Sequence, residues 1–240
     1  MNKLLVITGP TATGKTKLGI DVAKKFNGEI ISADSRQVYK GNDAESGKDR
    51  SFFQWGIDIV EPDYNFNVSE YVKYAKKVIE NIWAKGKLPI IVGGSGQYIK
   101  ELLYPSETLH IPPNKQLREK LEKYSVSKLQ DLVKIKMNAS DWQNPRRLIR
   151  AIEVAKQDQR SKTKDQRYNA MVIGLFATKE EIYKKIAERR VDRPDLIEKE
   201  FKLAKKQITY LKKLPGIMWF DVSSEKFSLE IFSRITKWYT

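Results

Sequence analysis

KLLVITGPTATGKTKLGIDVAKKF, residues 3–26, holds the reading on which the fold turns. Lys3 to Thr8 is an almost unbroken apolar run, the pattern of a strand buried on both faces of a parallel sheet. It runs into Gly9-Pro10-Thr11-Ala12-Thr13-Gly14-Lys15-Thr16, which fits G-x-x-x-x-G-K-[ST] at every position. In that pattern the loop amides and the following helix N-terminus take phosphate oxygens. The lysine adds charge, and the Thr16 hydroxyl can hold Mg²⁺. Leu18, Ile20, Val22, Ala23 and Phe26 then give a helix a broad apolar face, closed by Asn27-Gly28. Strand, glycine loop and helix are the context the motif requires, so Gly9 to Thr16 are assigned to a diphosphate or triphosphate.

Working outward, Glu29 to Ala33 reads as a second strand with Asp34 just past its carboxyl end. Residues Val68 to Lys85 carry apolar side chains at helical spacing. Leu88 to Val92 is a third strand, ending in Gly93-Gly94-Ser95-Gly96. Further on, Met171 to Phe176 and Trp219 to Val222 read as strands, and Lys179 to Arg190 and Leu196 to Lys213 as helices. This alternation predicts an α/β fold: a P-loop NTPase-like parallel sheet with helices on both faces. Residues 111–143 open with Pro112-Pro113, are dense in Lys and Glu, and show periodicity in Leu117, Leu121, Leu129, Leu132 and Val133. They are expected to form a small helical insertion between core segments 1–110 and 144–240. Gln157 to Arg167 reads as an exposed basic loop.

Bulk properties narrow the function. Of 240 residues, 40% are hydrophobic and 31% charged, the balance of a water-soluble globular chain. Apolar runs such as Leu88–Val92 fall far short of the ~20 residues that cross a bilayer. Without cysteine the sequence holds no disulfide, thiolate zinc site or thiol nucleophile. The one histidine, His110, is given no role. Met-Asn-Lys leads straight into a strand with no leader pattern, so a cytoplasmic setting is expected. The net charge of +15 serves solubility or, more pointedly, a polyanionic partner such as nucleic acid.

The residues also limit the phosphate chemistry. An ATP-hydrolysing site wants an acidic residue at a core strand end, but Leu88–Val92 ends in glycines. Asp34 is the carboxylate best placed to act as base on an acceptor group; a turn or helix-cap role suits it equally by spacing. The block Ser32 to Tyr39 is polar and turn-like.

GPTATGKT (9–16), ISADSRQVYKG (31–41), GKLPIIVGGSGQYIKELL (86–103) and NPRRLIRAIEV (144–154), in this order, resemble tRNA dimethylallyltransferases, the IPP transferase family. A weaker match is AKKQITYLKK (204–213) with Trp219-Phe220 after it. The resemblance implies that N6 of an adenosine beside the anticodon displaces diphosphate from dimethylallyl diphosphate. It implies Asp34 as general base, with Thr11, Lys15 and one of Arg189 and Arg190 at the diphosphate and Mg²⁺ on Thr16. Asp34, Ser35, Arg36 and Gln37 would read the flipped-out adenine. Ser95, which stands where the family's GGTG motif has threonine, would meet tRNA, as would Arg118, Arg146, Arg147, Leu148, Ile149 and Arg150. The implied partners are dimethylallyl diphosphate and the tRNA anticodon stem-loop, and the expected working unit is a monomer.

The sequence is an unusually short form. Glu198 passes almost directly to Phe201-Lys202-Leu203-Ala204-Lys205, where the family runs through a further helical stretch. That leaves open an adenylate isopentenyltransferase acting on free AMP, ADP or ATP. More distant readings are a small-molecule P-loop kinase and a non-catalytic RNA binder.

Overall fold

A computed structural model describes residues 3–156 and 168–240. The basic loop expected at 157–167 lies outside the described residues. Six strands, β1 (Lys3–Thr8), β2 (Gly28–Ser32), β3 (Gln54–Trp55), β4 (Leu88–Gly93), β5 (Asn169–Phe176) and β6 (Ile217–Asp221), form one sheet in the order β3-β2-β4-β1-β5-β6. Every pairing is parallel, with Ile7 opposite Val92 on one side and Ile173 on the other.

Unit 1, Met1–Tyr104 with Gln166–Thr240, contains this sheet. Successive strand side chains point to opposite faces, and Leu4, Leu5, Val6 and Ile7 are all inaccessible to solvent, so both faces are covered. On one face Leu5, Ile7, Ile90 and Ile173 pack with Leu18 and Val22 of α1 (Lys15–Lys25) and with Ile231 and Ile235 of the C-terminal α11 (Phe227–Tyr239). α3 (Val68–Ala84) packs against β2 and β4, and α4 (Gly96–Leu103) packs on α3. Asn67 starts α3 with a capping box to Glu70, which satisfies two otherwise orphaned N–H groups. Short α2 (Asp43–Ser46) precedes β3, and α9 (Lys179–Arg189) and α10 (Ile197–Leu211) lie between β5 and β6.

Because β2, β3 and β4 lie on one side of β1 and the later β5 and β6 on the other, the sheet reverses its direction of growth beside β1. Open α/β sheets bind ligands at such a point.

Unit 2 spans Pro105–Asp165. It comprises α5 (Lys115–Leu121), α6 (Val126–Leu132), α7 (Ala139–Trp142) and α8 (Pro145–Lys156) around Leu121, Leu129, Leu148, Ile149 and Ile152. This unit is wider than the insertion expected at 111–143, because α8 supplies three of those five core side chains and so belongs with α5, α6 and α7 rather than with the sheet.

Candidate active site

β1 delivers the phosphate loop to the sheet's carboxyl edge. Gly14 caps α1 at φ 77°, in the left-handed region that residues with a Cβ adopt at a cost. Thr13 stays inside the loop, its hydroxyl donating to the Pro10 carbonyl at 2.8 Å. Lys15 Nζ donates to the same carbonyl at 3.0 Å. Burial lowers the Lys15 ammonium to about 8; Asp34 and Glu200 oppose this fall, and Arg189 adds to it. An anion arriving here would favour the protonated form and raise that value again.

Asp34 emerges from β2 beside the loop. One carboxylate oxygen accepts from the Arg36 N–H at 2.9 Å, closing an Asx turn, and Gln37 N–H donates to the Asp34 carbonyl at 3.2 Å. The turn role and the site role therefore coexist: the turn fixes the side chain while Asp34 still lines the cavity. Ser95 Oγ accepts from the Ser35 N–H at 2.9 Å, and Ser95 N–H donates to the Ala33 carbonyl at 3.0 Å. Ser95 thus ties the glycine turn after β4 to the Asp34 loop. Gln37 accepts from the Ser32 hydroxyl at 2.6 Å and donates to the Ser46 carbonyl at 3.2 Å.

These elements enclose a cavity of about 220 Å³ lined by Thr11, Ala12, Gly14, Lys15, Thr16, Asp34, Arg36, Gln37 and Arg189, among others. The remainder of its wall includes Glu200, Leu203 and Gln207 of α10, which the sequence reading did not assign to the site. Glu200 Oε1 accepts from the Thr11 hydroxyl at 2.7 Å and from Arg189, and Oε2 accepts from Arg190 Nε at 2.8 Å. Burial raises the Glu200 carboxyl, but hydrogen bonds from Arg190 and Thr11 and the charge of Arg189 outweigh it, so the carboxyl is held below its ordinary value. Gln207 Oε1 accepts from the Thr11 N–H at 2.9 Å. A Cβ on Gly94 would stand 2.3 Å from Gln207 Nε2 and 3.1 Å from the Gly9 carbonyl oxygen, so a larger residue here would displace the Gln207 side chain from this turn.

The two candidate arginines separate. Arg189 lines the cavity and donates to the Thr11 hydroxyl at 2.9 Å, whereas Arg190 is turned to Glu200.

In unit 2 the motif residues also divide. Leu148 and Ile149 fill the unit's core, being 0% and 5% exposed, so their side chains do not meet a ligand as the motif implied. Arg118 makes a two-pronged pair with fully buried Glu153, at 2.7 and 2.8 Å. Arg150 donates to the carbonyls of Thr108 and Ile111 at 2.9 and 2.8 Å. Both therefore serve this unit's internal structure. Arg146 and Arg147 stay exposed at the start of α8, with Arg147 paired to Asp141.

Two family models match the chain, one described as IPP transferase over residues 37–194 and one as isopentenyl transferase over residues 2–52. A tRNA dimethylallyltransferase of Caldanaerobacter subterraneus is 40% identical over 213 residues, covering 79% of this chain and 67% of that protein. Another, from Geotalea daltonii, is 43% identical over 162 residues, covering 63% of this chain and 52% of that one. The chain thus spans between half and two thirds of these relatives. Among solved structures, a tRNA isopentenylpyrophosphate transferase of Bacillus halodurans aligns with a TM-score of 0.69 and 28% identity, covering 99% of this chain and 97% of that one. A eukaryotic dimethylallyltransferase acting on tRNA shares the fold, with a TM-score of 0.78 over 96% of this chain and 77% of that one at 20% identity.

Proposed function

The chain belongs to the IPP transferase family, and we propose that it moves a dimethylallyl group from dimethylallyl diphosphate to N6 of the adenosine beside the anticodon in tRNA, releasing diphosphate. The observation that carries the reading is one cavity joining the phosphate loop, Arg189 and Asp34 at the switch point of the sheet. At about 220 Å³ it is smaller than the ~300–1,000 Å³ pockets that enclose drug-sized ligands. That space takes a diphosphate head, and β4 ends without the acidic residue of ATP hydrolysis.

In the proposed step the N6 lone pair forms a bond to the prenyl C1 as the C1–O bond breaks, and the electron pair of that bond leaves on diphosphate. Loop amides, Lys15 and Arg189 face the growing negative charge. Asp34 takes the N6 proton, which becomes acidic only as the new bond forms. Arg36 and Gln37, on the same wall, hold the flipped adenine. Thr16 on the cavity wall fits a magnesium ion bound mainly through water and phosphate oxygens. Among the described residues no group of three carboxylates or histidines offers the ion a cage of its own. When bound, Mg²⁺ would neutralise diphosphate charge. Arg146, Arg147 and the charge of +15 are assigned to tRNA phosphates, whose contacts carry affinity more than specificity. The proposed setting is cytoplasmic. The proposed working unit is a monomer.

One observation favours a second reading, transfer to free AMP, ADP or ATP: Arg118 and Arg150 are engaged within unit 2. Incubation with Mg²⁺, labelled dimethylallyl diphosphate and either tRNA or AMP decides. Label in tRNA, lost with Asp34→Ala, is expected. Label in AMP alone makes this a free-nucleotide prenyltransferase, and transfer to neither overturns both.

A further inference from the structure

Glu200 is a carboxylate, 6% exposed, in the wall of a cavity built for anions. It already occupies the donors that an anionic ligand would seek. The Thr11 hydroxyl and Arg189 both donate to Oε1, and Arg190 donates to Oε2. The two arginines are unequal partners. Arg190, with a side chain 12% exposed, faces Glu200 and is not part of the cavity wall. Arg189, with a side chain 42% exposed, lies in that wall and is shared between Glu200 and whatever enters.

We propose that Glu200 is an internal counter-anion, competing with bound diphosphate for Arg189 and the Thr11 hydroxyl and so loosening the product after transfer. The inference rests on the proposed function, because it requires this cavity to be the diphosphate site. Loop amides, Lys15 and Arg189 arranged for the charge that develops as C1–O breaks must also hold the product that carries this charge in full. Free diphosphate gains a negative charge that the prenyl ester lacks. A fixed carboxylate nearby raises the energy of every anionic state in proportion to its charge, so it weakens product more than donor. Arg190 keeps Glu200 ionised and seated while Arg189 changes partners. Glu200 touches no reacting atom in this scheme, so it is a positioning residue.

Glu200→Gln keeps the size and an acceptor oxygen but removes the charge. Calorimetric titration of the intact chain with inorganic diphosphate and Mg²⁺ is expected to give about tenfold tighter binding than wild type. KM for dimethylallyl diphosphate should fall. Steady-state kcat should fall as well while the single-turnover rate holds or rises, a split that merely damaged packing does not produce. A folded Glu200→Gln protein with equal or weaker diphosphate binding overturns the proposal. Arg190→Gln provides an opposite arm that also serves if Glu200→Gln does not fold. Deprived of Arg190, Glu200 turns wholly to Arg189, and diphosphate binding should weaken severalfold; unchanged or tighter binding counts against the idea. Wild-type protein that binds no diphosphate overturns the proposed function itself. Diphosphate binding that both variants leave untouched overturns only the role of Glu200.

Discussion

Arg189, at the end of α9, donates to the hydroxyl of Thr11 in the phosphate loop at 2.9 Å, joining residues 178 apart in sequence. The contact selects between adjacent arginines that sequence left equivalent. Arg189→Ala is expected to lower the transfer rate by about 10²-fold, the usual order for one donor facing developing charge. Arg190→Ala, which removes a partner of Glu200 rather than a donor in the cavity wall, should cost less. Steady-state kinetics on the two variants checks the order, and a larger loss at Arg190 reverses the assignment.

Lys15 provides a pH dependence with a definite sign. Burial holds the ligand-free ammonium near 8, and an anion binds the protonated form, which raises that value in the complex. Diphosphate affinity should therefore be nearly flat below pH 7.5 and fall as pH rises through about 8, by up to tenfold per unit. Lys15→Met should bind more weakly and lose the dependence. Titrations between pH 6.5 and 9.5 test this; a slope that survives in Lys15→Met belongs to another group.

Asp34→Asn should separate binding from chemistry. The asparagine oxygen can still accept from the Arg36 N–H, the bond that closes the turn in the wild-type protein, so the loop stays in place. The capacity to take a proton is lost. Transfer should fall by about 10²–10⁴-fold with diphosphate affinity changed little, measured by single turnover and calorimetry. A comparable loss of diphosphate affinity would mean that Asp34 organises the cavity rather than acting as base.

How far sequence reached depends on the range of the interaction. The phosphate loop, the strand-end placement of Asp34 and the parallel sheet were legible because glycine spacing and apolar runs are local, whereas the strand order β3-β2-β4-β1-β5-β6 was not. β6 was read at 219–222 and is found at Ile217–Asp221, while α11, amphipathic but without a side-chain cap, was passed over. Glu200 and Gln207 were missed because their role depends on where α10 docks. A signal was present: they share a helical stripe, at spacings of three and four, with Ala204 and Leu211, which are 1% and 0% exposed. Polar residues on a core-facing stripe ask for partners. Arg118 was legible as a motif residue but not as the partner of Glu153, since charge in LREKLEK reads the same whether solvated or paired.

Arg118 and Arg146 should therefore fail in different ways. Glu153 is fully buried, and besides Arg118 its carboxylate has the Asn114 N–H at 2.9 Å and a longer contact to Arg150 at 3.4 Å. Burial raises the Glu153 carboxyl, yet Arg118 and the Asn114 N–H hold it below its ordinary value. Arg118→Ala leaves that charge short of its main partner. Removing one member of a fully buried pair costs about 3–5 kcal/mol. Arg118 itself is about one third exposed, so water replaces part of the loss and about 1–3 kcal/mol is expected. Arg146, exposed at the start of α8, should leave stability unchanged as alanine while weakening tRNA binding and lowering its salt slope by about one. Thermal melts and filter binding across salt concentrations distinguish the two. An Arg118→Ala protein that melts like wild type but binds tRNA poorly would return Arg118 to the nucleic-acid surface, with the Glu153 pair broken in the complex.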